Sequence, residues 1–153
     1  MFSREEAARL RQQFWISFGQ YMKPILGVEG LPVNWVNYKT GVKHIFFRMD
    51  VEQKYASIAI EIAHPDAEIR ALLFEQFEEF KKLLENTLNE EWDWQPQTTN
   101  AFGKQVARIE CVLSKVSVYN QQQWPDIISF LKPRIMALDE FWSDVKPVFE
   151  DLK

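Results

Sequence analysis

The side chains of this sequence best suited to chemistry fall on short alternating stretches. Residues 42–50 read as a strand that sends His44, Phe46 and Arg48 one way and Ile45, Phe47 and Met49 the other. Residues 54–63 place Glu61 on a side with Tyr55, Ser57 and Ala59, opposite Ala56, Ile58, Ile60 and Ile62. A carboxylate beside an imidazole is what general acid–base hydrolysis needs. No complete catalytic constellation is present, and Glu61, His44 and Arg48 are the candidates for one, provided that they converge in a cleft. Asp50–Gln53 reads as the hairpin turn; a four-residue loop sets Glu61 opposite His44, and a two-residue loop sets it opposite Val42. Two later stretches add Glu91, Asp93, Lys104, Arg108 and Glu110 to the same outward face. With both signs present, cross-strand ion pairs are the plainer expectation, Asp93 with Arg108 among them. Glu61, Asp93, Arg108 and Glu110 are the candidate binding surface.

Other chemistries find less support. His64-Pro65-Asp66 reads as a helix start, with proline holding the residue before it extended. Metal binding needs more ligands than two histidines and one cysteine supply, and no metal or other cofactor is expected. Cys111 alternates with Ile109 and Leu113, which predicts a buried structural thiol. There is no glycine-rich phosphate loop and no Gly-x-Ser-x-Gly elbow. Restriction-type nuclease cores carry Glu-x-Lys on a strand. Here Glu61 is followed two residues on by Ala63 and Glu110 by Val112, so that pattern is not met.

The chain has 153 residues, which predicts one domain, and a core needs no covalent staples at this size. The net charge of −4 argues against a protein that coats nucleic acid, although it leaves room for a basic patch. One cysteine allows no internal disulfide, which suits a reducing cytoplasm. The first residues lack the apolar core of a signal peptide, and no apolar run is long enough for a membrane span. The sequence holds 6 Trp and 12 Phe, enough to furnish both a core and an aromatic interface.

The elements that would position these groups follow from periodicity. Residues 3–26 read as a helix, with Ser3 and Glu6 forming a capping box. Its stripe is Ala7, Leu10, Phe14, Phe18, Tyr21 and Ile25, widened by Trp15 and Met22. Trp35–Tyr38 is a weak edge strand. After the strands at 42–50 and 54–63, a second helix starts at Pro65 and runs to Leu88, burying Ile69, Leu73, Phe77, Phe80, Leu84 and Leu88. A short strand at 91–95 turns Trp92 and Trp94 inward. Pro96–Gly103 is a loop and 104–113 a strand. The stripe from Trp124 through Ile128, Leu131, Ile135, Leu138, Trp142, Val145 and Phe149 to Leu152 keeps phase across Pro133, so the last helix is kinked or closely broken there. That helix lies across its own sheet or forms a coiled-coil seam, the former being the plainer outcome. The order implies an α+β fold: an antiparallel sheet of four or five strands with helices mainly on one face.

Scattered landmarks carry a resemblance. They are Arg11-Gln12-Gln13-Phe14-Trp15; Trp35, Tyr38 and Gly41; Ile60-Glu61-Ile62; Phe74, Phe77, Lys81 and Glu85; Trp92 and Trp94; and Trp124 with the last helix. Together the chain resembles the prokaryotic domain-of-unknown-function family 4268 over nearly its whole length. The resemblance implies a bacterial accessory or interaction role, since that domain occurs alone or as a tail on longer proteins, some of restriction-endonuclease type. It carries no catalytic residues across. The order of elements is also similar to that of secretion chaperones, a likeness of fold alone. The expectation is a cytoplasmic, non-enzymatic binding or accessory domain whose partner is another protein or a second copy in a homodimer. The alternatives are an accessory domain of a nucleic-acid-processing system and a small hydrolase using the sheet-face pair.

Overall fold

A computed structural model describes residues 2–152. Helix α1 spans Arg4–Met22 and is followed by a long connector. Strands β1 (Ile45–Val51) and β2 (Tyr55–Ile62) form a hairpin. Helices α2 (Ala67–Glu79) and α3 (Lys81–Leu88) come next, then a second hairpin of β3 (Asp93–Thr99) and β4 (Gln105–Ser114). A 3-10 turn at Gln121–Gln123 leads into α4 (Trp124–Asp151). The sheet is antiparallel throughout, in the order β1-β2-β4-β3, so the two hairpins meet along β2 and β4.

Alternation decides which side of the sheet is covered. Ile45, Phe47 and Val51 of β1, Ile58, Ile60 and Ile62 of β2, and Ala107 and Ile109 of β4 point to one side, where all are buried. The helices close over that side through large rings. Trp142 of α4 meets Phe47 at 5.7 Å, and Phe77 of α2 stands 4.3 Å from Phe149 of α4. Phe14 of α1 meets Trp124 edge-on at 5.5 Å. The aromatic wealth therefore builds core. Trp35, Trp92 and Trp142 are buried and the other three tryptophans half-buried, so the broad aromatic surface expected from composition is absent among the described residues.

Local chemistry sets the element boundaries. The Glu6 N–H donates to Ser3 Oγ at 3.1 Å, and Ser3 Oγ donates to the Glu6 carboxylate at 3.0 Å, a cap worth about 1 kcal/mol. Helix α1 stops at Met22, two residues before Pro24 and short of the predicted end at residue 26. Its buried side is Phe14, Phe18 and Met22, while Tyr21 is exposed. Trp35–Tyr38 is not a strand. Trp35 is instead a buried anchor whose indole N–H donates to the Ile25 carbonyl at 2.9 Å.

Three further boundaries differ from expectation. The cap of α2 is Asp66, whose carboxylate accepts from the N–H groups of Glu68 and Ile69, so Pro65 lies one residue before the cap. The predicted helix to Leu88 is two helices. At Phe80 the backbone leaves helical geometry (φ −97°, ψ 11°) and that one residue ends α2 and begins α3. Ile69 is not core, and Phe74, off the predicted stripe, is buried against Trp94 at 5.7 Å. Strand β3 runs through Pro96 to Thr99, with the register shifting between Gln95 and Thr98. At an edge-strand irregularity the missing proline N–H breaks no ladder bond.

Helix α4 is continuous through both Pro133 and Pro147. Each proline leaves the carbonyl four residues earlier without its donor. Both prolines are exposed, and Ser129, which loses its donor to Pro133, is exposed as well. Ser143, which loses its donor to Pro147, is half-buried. Ile127, Phe130 and Phe141 are buried beside the predicted stripe, and the helix packs on the sheet and on α3, the within-domain arrangement that the stripe favoured.

Candidate functional site

The outward sheet face carries most of the predicted residues. The β1–β2 turn is centred on Gln53 and Lys54, with the Glu52 N–H donating to the Tyr55 carbonyl at 2.8 Å. Val51 thereby extends β1, and Glu61 stands opposite Phe46 rather than His44 or Val42. Arg48 does reach Glu61: Nε lies 3.3 Å from Oε2, and the guanidinium sits 4.1 Å above the Phe46 ring. Glu61 is only 4% exposed, so this cation is what balances it on the β1 side.

His44 does not join them. It lies one residue before β1 with a left-handed backbone (φ 71°), a region where histidine is among the better tolerated residues. Its ring meets His64 edge-on with centroids 4.6 Å apart. Burial, then the neighbouring His64 and Lys43, lower its pKa from the ordinary 6.5. The acid–base pair Glu61–His44 is therefore not assembled, because the register separates its members.

Asp93, Arg108 and Glu110 do come together, through a residue that the sequence reading passed over. Gln95 Nε2 donates to Asp93 Oδ2 and to Glu110 Oε1, both at 2.7 Å. Arg108 Nη2 lies 3.4 Å from Glu110 Oε2, so Arg108 pairs within its own strand and not with Asp93. The reason is register: Asp93 is opposite Glu110, and Gln95 is opposite Arg108. Ser57 and Ala59 are buried at 4% and 0% although they point outward. Their larger neighbours close over them, so they give a partner no close approach. The apolar contribution of this face comes from Phe46, Tyr55 and Val112, the last 51% exposed. A shallow cleft of about 290 Å³ lies between Tyr55, Ser57, Arg108 and Val112.

His64 acts first as local architecture. Its Nδ1 accepts from the Asp66 N–H at 3.0 Å, and its carbonyl accepts from Arg70 Nη1 at 2.8 Å. Beyond it opens a groove of about 910 Å³ between the start of β1, helix α2 and the end of α4, with His44 and His64 at one end. The sequence reading did not find it. Its signal was present in Leu72, an apolar residue outside the predicted stripe, whereas Ile69, placed in that stripe, lines the groove instead.

Two partly buried polar clusters also escaped notice. Glu90 accepts from Arg134 Nε and Nη2, both at 2.8 Å, and from the Trp92 indole at 2.6 Å. Cys111 lies beside them, half-buried where full burial was expected, and its thiol is pushed up by burial and by Glu90. Asp139 is buried in α4 and accepts from the Tyr38 hydroxyl at 2.5 Å and from the Val28 N–H at 2.8 Å. Asp139 follows Ile135 by four residues and precedes Trp142 by three, a placement that put it inside the apolar stripe. Both clusters tie segments together, and Asp139 also lines a cleft of about 690 Å³ with Val28, Trp35, Met136 and Glu140. Among the described residues no three His, Cys, Asp or Glu side chains gather as a metal-ligand set, and no helix is long and apolar enough to cross a membrane.

The model of the family described as Domain of unknown function (DUF4268) matches residues 10–146. No curated protein matches the chain, and no solved structure matches it.

Proposed function

We propose that the chain, which belongs to the DUF4268 family, is a cytoplasmic, non-enzymatic binding or accessory domain that works through protein–protein contact, a second copy of itself included. The observation that supports this is the sheet face opposite the helices. Arg48 pairs there with Glu61 and Arg108 with Glu110, Asp50 and Asp93 make no ion pair among the described residues, and Phe46, Tyr55 and Val112 remain exposed between them. Exposed apolar side chains set among ion pairs suit a protein partner, because both arginines are already compensated where the face is desolvated. The same pairing favours protein over nucleic acid. Phosphate binding draws on unengaged cations, and here both arginines of the face already hold carboxylates.

Sedimentation velocity across a wide concentration range tests this, with Val112→Glu as the comparison. Dimerisation that the variant abolishes supports self-association through this face. Protection of β1 and β2 from hydrogen exchange by the product of a neighbouring gene supports a heterologous partner. A strict monomer whose open face is protected by none of its gene neighbours sinks the reading. Salt-dependent binding of DNA or RNA would move the function to a nucleic-acid-processing system.

A further inference from the structure

We infer that the groove beside His44 and His64 is a docking site for an amphipathic helix of a partner protein, one with lysines or arginines flanking its apolar side. This surface is separate from the open sheet face and goes beyond the reading given for it.

The groove has an apolar interior. Val42, Leu73 and Phe149 form a buried floor, and Ile69, Leu72 and Leu152 stand above it at 39%, 62% and 46% exposure. Ile69, Leu72, Leu73, Gln76 and Glu79 follow one another along α2 at steps of three, one, three and three, which places them on a single face of the helix. Such a face is what a second helix packs against. Helix α2 thus has two apolar sides. Phe74 and Phe77 serve the core, and Ile69 and Leu72 stay exposed among the described residues.

Electrostatics selects the occupant. The groove is bordered by Glu75 and Glu79, with Lys43 the one lysine or arginine in its lining among the described residues and Lys146 close to Gly41 at its edge. Glu68 and Glu78 add to the acidic surface of α2, whose sole basic residue, Arg70, is buried and bonded to the His64 carbonyl. Glu75 and Glu79 are four residues apart, a like-charge spacing that costs a helix a few tenths of a kcal/mol. Glu78 and Glu79 also end α2, where the helix dipole disfavours anions. Among the described residues neither Glu75 nor Glu79 makes an ion pair, and Glu79 has only the Gln76 amide, at 3.2 Å. Carboxylates in locally unfavourable positions, lining an apolar groove, are complementary to cations carried by the helix that fills it. Apolar anchors at three- and four-residue steps with basic neighbours are the pattern of helix-in-groove recognition.

The test uses the full chain and two labelled peptides of about 18 residues, long enough for five helical turns. Both carry leucines at helical spacing, one with lysines and the other with glutamates at the remaining positions. Fluorescence anisotropy is expected to show binding of the lysine peptide, weakening as salt rises, and none of the glutamate peptide. Leu72→Ser and Ile69→Ser are each expected to weaken binding by about tenfold, as truncation of a central anchor does. Glu75→Gln with Glu79→Gln is expected to flatten the salt dependence, and Val112→Ser on the sheet face to change nothing. These sites are exposed, so circular dichroism should show every variant folded. Full affinity in Leu72→Ser, equal binding of both peptides, or no binding of the lysine peptide overturns the inference. Because Val112 decides the sheet-face reading and Leu72 decides this one, the two fail separately.

Discussion

Arg134 of α4 meets Glu90, just before β3, through two parallel hydrogen bonds of 2.8 Å, Nε to Oε2 and Nη2 to Oε1. The geometry uses the planar fork of arginine, which lysine does not have. Arg134→Lys is therefore expected to keep the charge and still lose stability, and Arg134→Met to lose about 1.5–3 kcal/mol, the usual scale of a hydrogen bond to a charged group. Urea unfolding checks this: the midpoint should fall in both variants, further in Met, with the slope unchanged.

The same pair makes stability depend on acid. Burial alone raises the Glu90 carboxyl, but hydrogen bonds from Arg134 and Trp92 and the Arg134 charge outweigh it and hold the group below its ordinary 4.5. A depressed folded value means that the contribution is present above 4.5 and is lost as pH falls through the folded value. Melting temperatures taken from neutral to about pH 3 should fall less steeply in Glu90→Gln than in the parent chain.

Tyr38 and Asp139 set a limit at the alkaline end. Burial, then the hydrogen bond to Asp139 and its charge, raise the Tyr38 phenol far above 10.0. A raised folded value gives a contribution that is complete below 10.0 and is lost as pH rises beyond it. Tyr38→Phe is expected to cost about 1.5–3 kcal/mol at neutral pH and to reduce the loss of stability above pH 10. Spectrophotometric titration of the folded parent should show one phenol fewer ionising than in the unfolded chain.

His44 should titrate below 6.5, because burial and then the charges of His64 and Lys43 disfavour its cation. Its contribution to stability is therefore present above 6.5 and declines as pH falls through the lower folded value. Ring-proton NMR titration reads the midpoint directly. His64→Gln is expected to move it upward, and an unmoved midpoint would show that the two rings do not interact.

Gly27 is held by close approach. A Cβ there would lie 2.6 Å from Val33 Cγ2 and 3.1 Å from Asp139 Oδ2. Gly27→Ala is expected to cost about 1–3 kcal/mol, as overpacking does, and to disturb the Asp139 bond to the Val28 N–H. Hydrogen exchange at Val28 reports the second effect.

Periodicity made much of this fold readable. The alternation of Ile45, Phe47 and Met49 with His44 and Arg48, and of Ile58, Ile60 and Ile62 with Glu61, gave both strands and the covered side of the sheet. The phase from Ile128 to Phe149 gave α4 across Pro133. What escaped depends on single backbone angles or on distant partners. Nothing in Phe77-Glu78-Glu79-Phe80-Lys81 signals the break at Phe80, since each of these residues is at home in a helix. The centre of the β1–β2 turn was misplaced because Gln53-Lys54 lacks a distinctive turn residue, and this shift is what parted His44 from Glu61. Asp139 and Arg134 owe their roles to Tyr38 and Glu90, partners remote in sequence that periodicity does not bring to them.

The strand order places β2 beside β4, although helices α2 and α3 and strand β3 all intervene in the chain. Each hairpin closes locally and quickly, but the seam that joins Ile60 to Ile109 closes only across that long insertion. Nonlocal pairing is slow to form, because the loop entropy is lost before the contact rewards it. Folding should thus be limited by the meeting of two preformed hairpins. Substitutions at Ile60 or Ile109 would then slow refolding, whereas those at the β3–β4 turn would chiefly speed unfolding.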